Sequence, residues 1–371
     1  MIANPLTQLA DRFFGRGRYS VTVPSMDGAM RPNGALDRAR PLVSDEGADN
    51  VVACGDALFY TTRNTIWRLE PGRQPQVVHR LPEPATALAS SAGGQLAVAL
   101  TSGAILLLFA DGRQSHLAVA AGAQLRCLTA LAFVGEDQLV LANGSSTRSP
   151  SQWQMDLMEQ GSSGSLWKLD IVSGRIERLA SALAFPGGLL VDGENVVVAE
   201  AWKHRLLRIP LRGGSLSSVT ADLPGYPGRM ARDTDGAPWL CLFAPRSQLV
   251  EFVLREHKYR QEMVRTIPPE YWIAPAYRSG HSFEEPLQGG GVKQMGILKP
   301  WAPTRSYGLV VKLNANLQPV ASFHSRSDGR RHGITSVAPF GRGMVVSSRG
   351  GGALFLLNGI ESAGEEHAAT H

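Results

Sequence analysis

One unit recurs along this chain, and that repetition constrains the fold more than any other feature. From Val51 onward an apolar strand runs into a Gly/Asp turn. A second apolar strand follows, ending in small residues, and then a third that alternates aliphatic and basic positions. The turns are Gly55-Asp56, Gly93-Gly94, Gly135-Glu136, Asp192-Gly193, Asp235-Gly236 and Gly341 to Gly343. All the gaps but the last are about 40 to 60 residues, the period of a four-stranded propeller blade. The third strands read Thr65–Leu69, Ile105–Phe109, Leu166–Leu169, Leu206–Ile209, Leu249–Val253 and Leu309–Leu313, with Ala353–Leu357 closing the series. Several alternate apolar and charged residues, the period-2 mark of a strand with one packed and one wetter face. Helical stretches are scarce. The one convincing internal helix, Gln152 to Gln160, is too short for a parallel crossover. An all-β fold, a six-bladed β-propeller, is therefore expected, because radial repetition leaves few strand edges exposed.

Two segments break the rhythm. Residues 1–45 read as an irregular arm in which Leu6, Leu9 and Phe13 share one face of a short helix. Residues 255–305 are an insertion carrying Tyr259, Tyr271, Trp272, Tyr277 and Trp301. Such an insertion sits on one face of a repeat fold, as a packing flap at the rim or as a substrate lid. The propeller is expected over 46–360, with a tail at 361–371.

Composition narrows the function classes. With 371 residues, 43% apolar and 19% charged, the chain buries a real core. The net charge of +5 is spread out, and no Lys/Arg run alternates with aromatics, so nucleic-acid partners are not expected. Cys54, Cys127 and Cys241 lie far apart in apolar runs and read as buried thiols. No apolar span is long enough for a membrane crossing, and the first residues lack the apolar stretch of a secretory leader, which makes the cytoplasm the expected compartment. No nucleophile elbow, phosphate loop or dinucleotide fingerprint is present.

The runs Asn143 to Thr147, Gln154 to Glu159 and Gly164 to Asp170 come in order, followed by Ala184 to Leu189, Val198 to Glu200 and Leu206 to Ile209. Asp222 to Pro227, Ser306 to Val310 and Ile334 to Val337 complete the set. Across residues 45–359 this order and spacing resembles the strictosidine synthase-like family. Its wider superfamily includes strictosidine synthases, paraoxonase-type lactonases and gluconolactonases, so the resemblance implies the fold more firmly than one chemistry.

In hydrolytic relatives the resemblance implies a calcium in the central channel, held by several oxygen ligands. Here Asn143 matches a side-chain amide position, and the acidic position falls on Glu46, Asp49 or Asn50. Gly187 and Gly228-Arg229 replace oxygen donors, and a fixed guanidinium cannot ligate calcium. No cofactor is expected, since the calcium set looks degraded. Arg229 either takes the ion's place and offers its fork to a carboxylate or phosphate, or pairs with a structural carboxylate such as Glu200 or Asp49. The position of the strictosidine synthase acid/base glutamate falls on Ile334-Thr335, which cannot shuttle a proton. His332 beside it can. The candidate catalytic residues are thus His332 and Glu200, the latter with a structural alternative. The candidate ligand contacts are Asn143, Arg229, Asp49 and Thr335. Two functions are expected to compete: action on a small organic molecule at the channel mouth, by lactone or ester hydrolysis or lyase-type condensation without calcium; or non-catalytic binding of a small anion or a protein partner.

Overall fold

The computed structural model describes residues 23–117, 125–286 and 305–358, with the backbone of 293–294 and 297–298. Six four-stranded antiparallel sheets are arranged radially. Their innermost strands are Ala48–Cys54, Ala85–Ser90, Leu128–Val134, Pro186–Asp192, Gly225–Arg232 and Ile334–Phe340. Each touches the next, and the sixth touches the first, so the ring closes around a central channel. We number the blades one to six in that order.

The turns read from sequence all join first to second strands, and each holds a glycine in the left-handed region: Gly55, Gly94, Gly135, Gly193, Gly236 and Gly341. A side chain there would be strained, which is why glycine punctuates the repeat. The third strands keep the wetter positions that their alternation implied, Arg68 exposed and Lys168, Arg208 and Lys312 half-buried, whereas the second strands are packed on both sides. In Gln138–Asn143, Leu139 and Leu141 pack toward blade two against Ala97 and Ala99. Val140 and Ala142 pack toward blade four against Val196 and Val198. Both faces of the middle strands are buried, each fully buried Leu or Val contributing about 1.5–3 kcal/mol.

Three details depart from the sequence reading. Leu249–Val253 is not a strand but the middle of helix Gln248–Arg255, whose Val250, Val253 and Leu254 point inward at helical spacing while Phe252 faces solvent. The third strand of blade five lies beyond the insertion, at Gly308–Leu313. The boundary expected at residue 45 also falls inside the ring. Arg40–Ser44 pairs with Ala353–Leu357 as the outer strand of blade six, so the ring is closed by strands from both ends of the described chain. Ahead of that strand, Asn33 Nδ2 donates to the Ser322 carbonyl at 2.9 Å and Ser325 Oγ donates to Asp37 at 2.8 Å, strapping residues 33–37 across blade five. The expected helix at Leu6 to Phe14, Trp301 and the tail lie outside the described residues.

The helix expected at Gln152 to Gln160 is present as Pro150–Gln152 followed by Trp153–Met158. With helices Gln248–Arg255 and His257–Thr266 it builds a roof over one side of the channel mouth, its apolar residues sharing one cluster with Phe185, Tyr226 and Phe243. The roof is anchored at two blades. Gln154 Nε2 donates to the Pro275 carbonyl at 2.8 Å, from blade three. At blade six, Tyr277 lies against Gly333 and Gly350, where a methyl group on either glycine would collide with Tyr277 backbone or Cβ atoms.

Candidate functional site

Every innermost strand loses register with its neighbour near its first residues. The slips fall between Asp49 and Val52, Ala85 and Ala87, Leu128 and Ala130, Pro186 and Gly188, Pro227 and Met230, and Ile334 and Ser336. A bulge frees a residue from the ladder and re-aims it. Repeated six times around an axis, it turns Asn50, Thr86, Thr129, Gly187, Gly228, Arg229 and Thr335 onto one cavity, and all seven line it. This chamber of about 450 Å³ at the channel mouth has an aromatic wall of Trp153, Phe185, Phe243 and Tyr277. Trp153 meets Phe243 edge-on with centroids 5.5 Å apart and Tyr277 at 5.1 Å. Arg63, Arg229 and Arg349 outnumber Glu46 and Asp49 in the lining, which makes the chamber net positive.

Arg229 crosses the channel. From blade five its Nη1 reaches Asp49 Oδ1 at 3.3 Å and the Thr335 carbonyl at 3.2 Å, while Nη2 donates to the Thr86 carbonyl at 2.7 Å. One side chain thereby ties blades one, two, five and six, and of the two alternatives from sequence the pairing with Asp49 is the one present. Asp49 Oδ1 also accepts from Thr335 Oγ1 at 2.7 Å and from the Ser336 and Ser347 hydroxyls at 3.1 Å. Burial alone would raise its pKa. The Arg229 and Arg349 guanidinium groups and these hydrogen bonds outweigh that and hold it at about 2, ionised at any ordinary pH. Arg349, an exposed residue, sits with its guanidinium carbon 4.7 Å from the Tyr277 ring centroid. Burial pushes the Tyr277 hydroxyl up from its ordinary range, so it stays a neutral donor.

The sequence candidates divide. Asp49, Arg229 and Thr335 meet at the chamber floor, beside Gly187 and Gly228. Asn143, Glu200 and His332 are not among the lining residues. Asn143 is fully buried, its Oδ1 accepting from the Cys127 amide at 2.9 Å. Glu200 is fully buried at a strand end, accepting from the Ala184 amide at 2.8 Å and from Arg205 at 2.5 Å. His332 is 4% exposed and bridges Ser306 Oγ to the Arg326 carbonyl, both at 2.8 Å; its burial lowers its pKa. Each of the three has a structural hydrogen-bonding duty away from the chamber. Of the lining residues missed from sequence, Thr86 and Thr129 had one readable signal, while Tyr277 and Arg349 fall outside the repeated position. Aligning the repeats puts Asn50, Thr86, Thr129, Gly187, Arg229 and Thr335 at the same place near each blade's start.

A calcium ion does not fit this donor set. Asp49 Oδ1 already receives three hydroxyls and a guanidinium, two of the other bulge positions are glycines, and Arg229 places positive charge on the axis. Among the described residues no three His, Cys, Asp or Glu side chains cluster as metal ligands.

No family model matches the chain. Among curated proteins it is 26% identical over 252 residues to the adipocyte plasma membrane-associated protein of Salmo salar, covering 60% of each chain. It is 25% identical over 134 residues to strictosidine synthase-like 10 of Arabidopsis thaliana, covering 35% of this chain and 36% of that one. The matches thus span less than two thirds of these relatives' lengths. Among solved structures, the calcium-binding regucalcin of Agrobacterium tumefaciens superposes with a TM-score of 0.52 at 13% identity, covering 86% of this chain and 93% of that one. A structural-genomics target provisionally described as a gluconolactonase gives 0.53 at 12%, covering 86% and 90%. The chain resembles strictosidine synthase-like proteins in sequence and shares the fold of gluconolactonase- and regucalcin-type propellers. Among the described residues no helix is long and apolar enough to cross a membrane.

Proposed function

We propose that the channel-mouth chamber binds a small organic anion with a flat apolar body, and that it does so without a resident calcium. The observation that carries this reading is the pairing, in one chamber of about 450 Å³, of a four-ring aromatic wall with an exposed arginine, Arg349, and a net positive lining. Rings stack on the wall, and a carboxylate takes a charge-assisted hydrogen bond from Arg349 or Arg63. Arg229 serves as the fixed cation of the floor, its two terminal nitrogens engaged by the protein.

Of the two functions weighed from sequence, this supports binding over catalysis. A proton-transfer catalyst needs a group that titrates near the working pH. Asp49 is clamped in its ionised form, and His332 and Glu200 lie outside the lining. Calorimetric titration of the purified protein with aryl carboxylates tests the reading. Binding is expected, with Arg349→Ala weakening it about tenfold, the worth of a hydrogen bond to a charged group. Calcium and chelator are expected to change neither binding nor turnover of lactones and aryl esters. Ester or lactone hydrolysis that appears with calcium and vanishes on chelation would replace this reading with an enzymatic one.

A further inference from the structure

Gly228 is a glycine that the fold itself does not demand. A methyl group on Gly188, in blade four, would fall 2.0 Å from the Gly228 carbonyl oxygen, and one on Gly225 would fall 2.7 Å from the Ala244 carbonyl oxygen, so close packing requires glycine at both. Gly228 lies in a bulge, but its φ is outside the left-handed region that makes glycine obligatory in some bulges. Among the described residues, and its chain neighbours apart, a methyl group there would meet only Phe243 Cδ1 at 3.4 Å and the Cys241 carbonyl oxygen at 3.7 Å, both ordinary contacts. Glycine inside a strand is destabilising relative to alanine. Where neither packing nor conformation accounts for it, it marks a place that a ligand approaches closely.

The space left by this missing side chain belongs to the chamber. Gly228 is buried and lines the cavity, so the open side of a methyl group there would face into it. Beside it stands Gly187 of blade four, whose own methyl group would come 3.6 Å from the Gly228 Cα. Two adjacent blades thus present bare backbone to the chamber, where blades one, two, three and six carry Asn50, Thr86, Thr129 and Thr335. Arg229, next along blade five, sends its guanidinium away across the channel to Asp49, Thr335 and Thr86. The bare patch adjoins two rings of the aromatic wall, Phe243 through the contact just given and Phe185 two residues before Gly187. Phe185 is held at φ 56°, a conformation that a bulky residue adopts at a cost, and such strain gathers where a binding wall is pre-set.

We infer that Gly228 sets the breadth of the ligand: the bare patch is a notch that admits the second ring of a fused two-ring aryl carboxylate beside Phe243. The chamber of about 450 Å³ is about three times the size of an apolar cavity of about 150 Å³ that holds one benzene ring, so a single-ring acid leaves it underfilled. A fused ring pair is flat, as the wall requires, and it fills the extra space without the conformational cost of a flexible chain. This assignment rests on the reading of the chamber as an aryl carboxylate site, and adds the size of the ring system and the residue that reads it.

The test compares benzoate with β-naphthoate by calorimetric titration, in the unmodified protein and in Gly228→Ala. The two acids share one carboxylate and differ by one ring. β-Naphthoate is expected to bind about tenfold more tightly, the worth of burying about 55 Å² more apolar surface. Gly228→Ala should bring that ratio toward one and leave the melting temperature unchanged or higher, because alanine suits both the backbone and the contacts there. Equal affinities in the unmodified protein, or a preference that survives Gly228→Ala, would overturn the notch while leaving the anion site standing. A melting temperature lowered by several degrees would show that the fold does demand this glycine, and would overturn the assignment on that ground. Failure of both acids to bind would remove the anion site itself.

Discussion

Arg229 shows how one residue can alter the character of a whole channel. Its guanidinium joins four blades through Asp49, Thr335 and Thr86. Arg229→Ala leaves the buried Asp49 carboxylate without its hydrogen-bonded cation and is expected to lower stability by about 3 kcal/mol, read from urea unfolding. Adding Asp49→Asn removes the stranded charge and should recover part of that loss, the signature of a coupled pair. Strict additivity of the two substitutions would show that the pair contributes no coupling. Position 229 stood out in the sequence because a cation replaced an oxygen donor. Its partner was one of several open alternatives, since the register of the first strand cannot be read without its bulge. Glu200 and His332 looked chemically capable, but a side chain's chemistry does not reveal that its hydrogen bonds are already committed inside the wall.

The described part of the insertion packs over the channel mouth as part of the roof. Its approach to blade six depends on two glycines, Gly333 and Gly350. Gly350→Ala introduces a methyl group into the Tyr277 carbonyl and is expected to dislodge that side of the roof at a cost of about 1–3 kcal/mol. The aryl carboxylate affinity should fall with it, because Tyr277 forms part of the aromatic wall. Unchanged affinity and melting temperature would mean that the roof tolerates the displacement. At the other end, removing residues 1–44 takes away the outer strand of blade six and exposes the edge of Ala353–Leu357. Its melting temperature is expected to drop by roughly 10 °C, several kcal/mol for a domain of this size. The strand escaped the sequence reading because Arg40–Ser44 pairs with residues some three hundred positions away, and one face of it is wet.

Acid should unfold the molecule in two stages, because its buried imidazoles and its clamped carboxylates titrate in different ranges. His204, His324 and His332 are all held below the ordinary imidazole range by burial, His324 at about 4. A depressed histidine means that the unfolded chain binds more protons. The stability these groups contribute is complete above about pH 6.5 and is lost as pH falls toward their folded values. His324 alone, hydrogen-bonded to Tyr307 and Ser322, accounts for about 3 kcal/mol by pH 4. Asp49 and Glu251, each held at about 2, add a second loss as pH falls from about 4. Urea midpoints measured from pH 7.5 downward should therefore decline through both ranges, and His324→Gln should flatten the first. A profile level down to pH 4.5 would contradict the histidine assignment.

The sequence by itself determined the ring. Turn glycines demanded by positive φ, spaced one blade apart, and strands apolar enough to be buried on both faces are local properties, and local properties repeat legibly. Tertiary structure alone decided what the ring encloses. The chamber is built from one or two residues per blade, brought together by bulges whose position depends on pairing with the neighbouring strand, and by a roof whose anchor points lie on blades three and six. The repeat marks a position near each blade's start but not which side chains meet across the axis, which is why Arg229 was visible as a departure while Tyr277 and Arg349, outside the repeated position, joined the site only once the six blades had closed.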